Sequence, residues 1–217
     1  RPKNIEKEIN KENKKTNLDP KKQFKSLLSN GQFRIVLIGF IAMSTVWWGV
    51  SLWLPTYLVE GQGLRLDQIS FGGSFPYVGG IFGAYLGSWV SDVTGNRKGV
   101  IVSALLSMGV LLLILGLLNI QSVLVALAIL FMIFFVGVMA PSIFFTILQD
   151  NISGDVLGSA TGVMNGIGNG VGVMGPLLIG FIVGITGIYD LGIFSLGIIS
   201  LAGASIFQIF YHSLGKL

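Results

Sequence analysis

Six long apolar stretches dominate this sequence, and short polar segments separate them. They cover residues 33–58, 68–91, 99–118, 122–148, 158–183 and 191–213. An α-helix rises about 1.5 Å per residue, so each stretch is long enough to cross a hydrocarbon layer of about 30 Å. Because backbone groups in lipid must pair with one another, and because the stretches are about twice as long as a barrel strand, helices are the expected spanning form. The sequence therefore predicts an all-α membrane protein with six transmembrane helices.

The composition agrees with this fold class and excludes several functional classes. Hydrophobic side chains make up 52% of the 217 residues and charged ones only 11%, whereas a soluble domain carries about 25% charged residues. Cysteine is absent and His212 is the single histidine, which argues against disulfides, thiolate or histidine metal sites and histidine-based acid–base catalysis. We therefore predict that the protein is not an enzyme, with no catalytic residues, no metal and no cofactor.

Residues 1–32 differ from the rest of the chain because Lys, Asn and Glu dominate them. Few apolar side chains are available to offset the entropy of ordering, so we predict a mostly disordered basic cytoplasmic linker over 1–32 and a membrane bundle over 33–217. Phe24, Leu27 and Leu28 recur at helical spacing between lysines, which leaves two interpretations open: an amphipathic helix on an anionic membrane surface, or a solvated linker. Acidic residues interleaved with the lysines argue against a nucleic-acid partner.

The distribution of positive charge predicts how the chain is oriented. With six spans, both ends of the sequence lie on one side of the bilayer, together with segments 92–98 and 149–157. Arg65 is the one residue among the 14 Lys and Arg that falls on the opposite side. The positive-inside rule then predicts a multi-pass protein of the cell membrane with both termini of this chain in the cytoplasm.

Polar and aromatic side chains mark the stretches that could line a cavity. Asn165 and Asn169 are four residues apart and so share one helix face. A buried amide in lipid costs several kcal/mol unless it is paired or hydrated, so both are expected to face other helices or a water-filled cavity. Trp48, Tyr57 and Tyr77 are further candidates, although aromatic residues in membrane helices also serve packing and interfacial belts.

Glycines form two ridges that favour close helix packing. Gly79, Gly83 and Gly87 recur every four residues on the second stretch, and Gly158, Gly162, Gly166 and Gly170 do the same on the fifth. Such ridges suit either static packing or a moving interface. The glycines and Pro176 that follow Asn169 also predict a kink in the fifth stretch.

A weak internal repeat relates the two halves of the bundle. A shift of about 92 residues superimposes Gly80 on Gly172 and Gly83 on Gly175, together with Thr94-Gly95 on Thr186-Gly187. Because each unit would hold three helices, an odd number, the second unit must run in the opposite sense across the bilayer. This predicts two inverted three-helix repeats, an arrangement common in secondary transporters.

The segment between the second and third stretches reads GSWVSDVTGNRKG from Gly87 to Gly99. Gly87 allows close packing, Asp92 can pair with a cation, Gly95 makes a turn, and Arg97 and Lys98 anchor the cytoplasmic face. The pattern resembles the G-x-x-x-[DE]-x-x-G-[RK]-x-[RK] signature of the major facilitator superfamily. It departs from that signature in the spacing of Gly87 and Asp92, in Val93 and in Asn96, which stands where a cation is usual. The resemblance implies half of a twelve-helix fold and a conformational loop over these residues.

The remainder of the chain is similar to the C-terminal half of one branch of that superfamily, the anion:cation symporters. The similarity lies in Trp53-Leu-Pro55-Thr-Tyr57, in Pro141-Ser142 and in the Gly and Asn pattern from Gly158 to Gly180. It implies substrate contacts at Ser142, Phe145 and Asn165, with tryptophan more usual where Phe145 stands. We add Asn169, Trp48, Tyr57 and Tyr77 from the residues themselves.

The resemblance implies transport of a small organic anion, such as a sugar acid or another carboxylate, by alternating access. Because the spans carry no embedded charge, proton coupling and the main counter-charge would come from an N-terminal six-helix half outside this sequence, which makes that half, the substrate and the lipid bilayer the expected partners. A bacterial source is expected. A glycine-rich channel or facilitator formed by an oligomer of this chain remains the alternative.

Overall fold

The structure, a computed structural model, describes residues 20–65, 67, 74–118, 122–152 and 154–211, and these form helices without strands. The described residues do not include residues 1–19 of the linker predicted over 1–32, the predicted start of the second span at 68, or His212. The helices are α1 Pro20–Ser29, α2 Gly31–Thr56, α3 Phe75–Thr94, α4 Arg97–Leu117, α5 Val123–Met139, α6 Pro141–Asn151, α7 Gly154–Gly172, α8 Met174–Thr186 and α9 Tyr189–Phe210, with a π-helical turn, Tyr57–Gly61, that continues α2.

The helices agree with the predicted spans. Among the described residues, five segments are long and apolar enough to cross a membrane: Gly31–Gly61, Arg97–Leu117, Val123–Asn151, Val156–Thr186 and Tyr189–Phe210. The second predicted span corresponds to α3, whose 20 residues reach about 30 Å. This helix is less apolar than the other five because Gly, Ser, Pro, Tyr and Asp occupy many of its positions.

Two of the long segments are interrupted, and each interruption is adjacent to proline or glycine. Pro141 has no N–H to continue the ladder of α5, so α5 ends at Met139 and Pro141 begins α6. This break was not predicted from the sequence. The fifth span is interrupted at Val173, between α7 and α8, within the region where the glycines and Pro176 predicted a kink.

The helices pack in an order that differs from their order in the chain. α3 packs on α5, α5 on α4, α4 on α9, α9 on α2, and α2 on both α7 and α8. We call the end of the bundle that carries Arg97 and Asp150 the basic end, and the opposite end, where Gln62 and Asp190 lie, the far end. A buried cluster around Phe33, Phe144 and Phe207 fills the basic half, and a second around Val50, Leu112 and Leu196 fills the far half.

The two predicted glycine ridges have different surroundings. A Cβ atom at Gly79, Gly83 or Gly87 would collide with the backbone carbonyl oxygen of Phe131, Phe135 or Met139, respectively. This ridge therefore packs α3 directly against the backbone of α5. A Cβ at Gly158, Gly162, Gly166 or Gly170 would meet no atom of the described residues within 4 Å, so the ridge on α7 has no packing partner in this part of the chain.

The repeat predicted from the sequence is visible in local geometry. Gly95 and Gly187 end their helices in the left-handed conformation, with φ of 64° and 69°. The threonine before each glycine donates to the carbonyl four residues earlier, at 2.6 and 2.7 Å, and accepts from the backbone N–H two residues later, at 3.2 and 3.1 Å. Gly83 lies against the α5 backbone, and its equivalent Gly175 lies against the carbonyl of Thr45 on α2.

Candidate functional site

Three polar side chains join α2 to α7, and we call them the amide cluster: Trp48, Asn165 and Asn169. The indole Nε1 of Trp48 donates to Asn169 Oδ1 at 2.9 Å. Asn169 Nδ2 in turn donates to Asn165 Oδ1 at 2.7 Å and to the Asn165 backbone carbonyl at 3.1 Å. The structure thus brings together three of the residues singled out from the sequence.

Hydrogen-bond chemistry fixes the orientation of both amides in the cluster. An indole N–H can only donate, so the oxygen of Asn169 must face Trp48 and its NH₂ group must face Asn165. The oxygen of Asn165 then faces Asn169. Asn165 is exposed, and its Nδ2 has no hydrogen-bond partner among the described residues. The cluster therefore presents an amide donor at an accessible position, which suits an anionic or carbonyl acceptor.

Glycines make room for the aromatic side chains beside the cluster. A Cβ at Gly172 would lie 2.9 Å from Trp48 Cδ1 and 3.0 Å from Ser44 Cβ, and one at Gly168 would collide with the ring of Phe40. Only glycine lets α7 approach α2 this closely at these positions. Trp48 remains 37% exposed, so its ring is both held by α7 and open on one side.

Phe145 and Ser142 lie on α6, near the same part of the bundle. The Phe145 ring packs edge-on against Phe40 with centroids 5.6 Å apart, and Phe40 also contacts Gly168 between the two asparagines. Phe40 therefore lies between Phe145 and α7, the helix that carries the two asparagines of the amide cluster. Ser142 is exposed and its Oγ lies 3.0 Å from Ser88 Oγ on α3.

Two predicted aromatic residues lie away from the amide cluster. Tyr77 is 60% exposed and packs edge-on against Phe134 on α5, with centroids 5.0 Å apart. Tyr57 is 1% exposed, and its Oη lies 2.9 Å from the Leu115 carbonyl and 3.1 Å from Asp190 Oδ1. Gln62 donates to both Tyr57 Oη and Asp190, at 2.8 and 3.0 Å. Tyr57 thus belongs to a hydrogen-bond network at the far end.

The predicted conformational loop forms an ion-pair network at the basic end. Arg97 pairs with Asp92 on α3 and, through Nε, with Asp150 Oδ2 on α6 at 3.1 Å; its Nη1 also donates to Ser91 Oγ at 3.0 Å. Gly95 makes the turn between α3 and α4. Gly87 lies one turn before Ser91, with the Met139 carbonyl 2.8 Å from the position of a Cβ. The network therefore joins three helix ends.

Lys98 adjoins this network but makes no ion pair within the described residues. The cap of α4 comes from the neighbouring Asn96, whose side chain accepts from the Gly99 N–H at 2.8 Å. The asparagine that departs from the family signature therefore serves as the N-cap of α4.

Sequence reasoning did not identify Phe40 or Ser88 as neighbours of the site. Phe40 is one of 15 phenylalanines in an apolar helix, so nothing in its local sequence distinguishes it. Ser88 lies inside the signature segment beside Gly87. Its hydroxyl group is the one feature of the sequence that could have indicated a polar contact at this position. Their importance follows from which helices pack together.

Sequence comparison finds a family model and relatives that match most of this chain. Residues 1–176 match the family model described as Major Facilitator Superfamily. The chain is 29% identical over 164 residues to the hexuronate transporter of Bacillus subtilis (strain 168). It is 26% identical over 177 residues to the probable galactarate/D-glucarate transporter of Escherichia coli (strain K12), and 30% identical over 167 residues to the probable sulfoacetate transporter of Cupriavidus necator.

These alignments cover 70%, 77% and 73% of this chain, respectively, and 38% of each relative. The chain thus spans well under half the length of the relatives that it matches. An all-helical bundle with two related three-helix units agrees with half of the superfamily's fold. The family match covers most of the sequence, and the chain belongs to the major facilitator superfamily.

Proposed function

We propose that this chain forms the C-terminal six-helix half of a transporter that carries a small organic acid anion across the cell membrane by alternating access. The observation that carries the proposal is the amide donor of Asn165, which the Trp48–Asn169 hydrogen bond orients toward an accessible position. The relatives support it, because their names denote transporters of hexuronate, galactarate or glucarate, and sulfoacetate. A sugar acid or another carboxylate is the proposed substrate.

In this proposal the amide cluster forms the polar part of the substrate wall. Asn165 Nδ2 donates to a carboxylate or hydroxyl oxygen of the substrate, and Trp48 and Asn169 hold it in place. Phe145 packs against the apolar side of the substrate, and Ser142 supplies a hydroxyl one turn away on α6. Tyr77 flanks this wall toward the far end, and we assign Tyr57 to the far-end network instead.

Charge considerations support a second, N-terminal half. In the described parts of α2 to α9, the charged side chains lie within about one turn of a helix end. A neutral amide cannot neutralise an acid that crosses the bilayer, and a proton-coupled cycle needs embedded ionisable groups. We therefore assign the counter-charge and the proton-binding residues to the partner half. The open glycine ridge on α7 offers that half a surface for close packing.

We place both termini of this chain in the cytoplasm, with the basic end of the bundle at the cytoplasmic face. The Arg97 network then acts as the conformational loop, because it ties the ends of α3, α4 and α6 together in one state. Rocking of the two halves would break and remake such contacts.

Uptake into proteoliposomes tests the proposal. The complete transporter is expected to take up hexuronate or galactarate, faster when a proton gradient is imposed, and Asn165→Leu is expected to abolish uptake at normal expression. Asn151→Leu is the matched control, because the Asn151 side chain donates to a carbonyl of its own helix, Ile147, at 2.8 Å. Unchanged uptake by Asn165→Leu would remove the amide cluster from the site. Uptake by residues 1–217 alone would favour the oligomeric facilitator.

A further inference from the structure

A buried hydroxyl on α2 has no partner among the described residues. The Oγ of Ser51 is shielded from solvent and makes no hydrogen bond there. Other hydroxyls on these helices donate to a carbonyl of their own helix: Thr146 at 3.0 Å, Ser195 at 2.7 Å and Ser205 at 2.8 Å. Because an unpaired buried hydroxyl is costly, the Ser51 hydroxyl is available to pair with a water molecule or with a ligand group that enters beside it.

The backbone at the same position also lacks its usual donor. Pro55 lies inside α2, and proline has no N–H to donate to the carbonyl four residues earlier, which belongs to Ser51. Ser51 therefore offers a side-chain hydroxyl together with a carbonyl that its helical neighbour cannot satisfy. A hydroxyl group of a ligand both donates and accepts, so it can pair with both.

Ser51 lies on the wall of a cavity between α2, α3 and α5. The cavity has a volume of about 70 Å³, and most of its wall is apolar, with Leu54, Leu130 and Phe134 among its lining residues and Tyr77 beside them. About 10–15 Å³ is enough for one water molecule, so the cavity can accept a larger group. An apolar wall with a hydroxyl suits a carbon chain that carries a hydroxyl group.

Ser51 relates the cavity to the amide cluster through α2, the helix that it shares with Trp48. Ser51 follows Trp48 by three residues on the same helix, and residues at this spacing are neighbours with Cβ atoms about 5–6 Å apart. A ligand that binds beside Trp48 can therefore extend along α2 toward Ser51, one turn nearer the far end. Serine turns about a single χ1 bond, so its hydroxyl can swing from its shielded position toward a group that enters the cavity.

We infer that Ser51 binds a hydroxyl group of the substrate, so that the site prefers a hydroxylated acid over an unsubstituted acid of the same length. The inference rests on the proposed function and narrows its substrate class to hydroxylated carboxylates. A site of this kind binds sugar acids in preference to a compound such as sulfoacetate, which has no hydroxyl on carbon.

Galactarate and adipate are a matched pair of probes, because both are unbranched six-carbon dicarboxylates and only galactarate carries hydroxyls. With the purified complete transporter, Ser51→Ala is expected to weaken galactarate binding about fivefold to tenfold, the effect of one hydrogen bond, and to leave adipate binding unchanged. Ser51→Thr, which keeps the hydroxyl, is expected to retain most of the preference for galactarate. Ser205→Ala is the control, since Ser205 bonds its own helix on α9.

The outcomes separate this inference from the proposed function. If the unmodified transporter binds galactarate but Ser51→Ala weakens galactarate and adipate equally, or weakens neither, Ser51 does not select hydroxyls and the inference fails alone. A rise in melting temperature of Ser51→Ala with an unchanged preference would mean only that a costly buried group was removed, and would also overturn it. If the unmodified transporter binds no hexuronate, galactarate, adipate or sulfoacetate, the proposed function fails and the inference fails with it.

Discussion

Trp48 on α2 and Asn169 on α7 are joined by a hydrogen bond of 2.9 Å between the indole nitrogen and the amide oxygen, across 121 residues of sequence. Besides joining the two helices, this bond sets the orientation of the neighbouring amide groups. Because the indole only donates, it determines which way two successive amides face, and hence that Asn165 presents NH₂ rather than oxygen.

Replacement of Trp48 by Phe keeps an aromatic ring but removes that donor. Both amides can then turn over, and we expect substrate affinity to fall about tenfold with little change in melting temperature, as measured by ligand titration and thermal denaturation in detergent. Trp53→Phe is the control, because the Trp53 indole donates to the Pro176 carbonyl at 2.9 Å, outside the amide cluster. An equal loss of affinity in both variants would contradict an orienting role for Trp48.

The contact between Gly83 and the Phe135 carbonyl predicts a strong effect on stability. Gly83→Ala places a methyl group against backbone that cannot move independently, so α3 and α5 must separate. We expect a loss of about 1–3 kcal/mol, seen as a lower melting temperature and reduced yield of folded protein. Gly95 is not a suitable comparison because its positive φ adds strain of another kind. A melting temperature equal to that of the unmodified protein would show that the helices pack less closely.

Gly162 on α7 provides the opposite case. A Cβ there meets no described atom within 4 Å, so Gly162→Leu is expected to leave the melting temperature of residues 1–217 unchanged. In the complete transporter the same change is expected to slow uptake at least severalfold, because the proposed function has the partner half pack against this ridge. Normal uptake by Gly162→Leu would mean that lipid, rather than another helix, covers the ridge.

The pairing of Arg97 with Asp150 is partly exposed, with side-chain exposures of 24% and 49%, so its strength should be modest. A double-mutant cycle with Arg97→Gln and Asp150→Asn is expected to give a coupling of about 0–1 kcal/mol, measured by denaturation and reduced by added salt. Transport is expected to be more sensitive, because the proposed rocking of the two halves would break and remake this pair. Equal effects on stability and on transport would assign the pair a purely structural role.

Tyr57→Phe tests the separation of the far-end network from the substrate site. The change removes the buried hydroxyl that lies 2.9 Å from the Leu115 carbonyl, and we expect a loss of about 1–2 kcal/mol in stability without a change in substrate affinity. Thermal denaturation and ligand titration measure the two quantities separately. A large loss of affinity at unchanged stability would place Tyr57 in the substrate site.

The helices and several of their ends follow from local features of the sequence. Apolar length is a local property, so each predicted span has its helix, and the Thr-Gly pairs at 94–95 and 186–187 gave turns because glycine accepts positive φ where other residues do not. The spacing of Asn165 and Asn169 also determined that they share a face. These inferences need only the chain's own backbone geometry.

Which helix surfaces meet depends on how the whole chain packs. Both glycine ridges look alike in sequence, yet Gly83 is buried against a carbonyl, whereas a Cβ at Gly162 would meet no atom of the described chain within 4 Å. In a membrane helix that is apolar all round, hydrophobicity does not indicate which face packs, since lipid and a neighbouring helix are equally apolar. Shape and hydrogen bonding between distant segments therefore determine which faces meet. They set the Trp48–Asn169 bond, and they leave the Ser51 hydroxyl without a partner among the described residues.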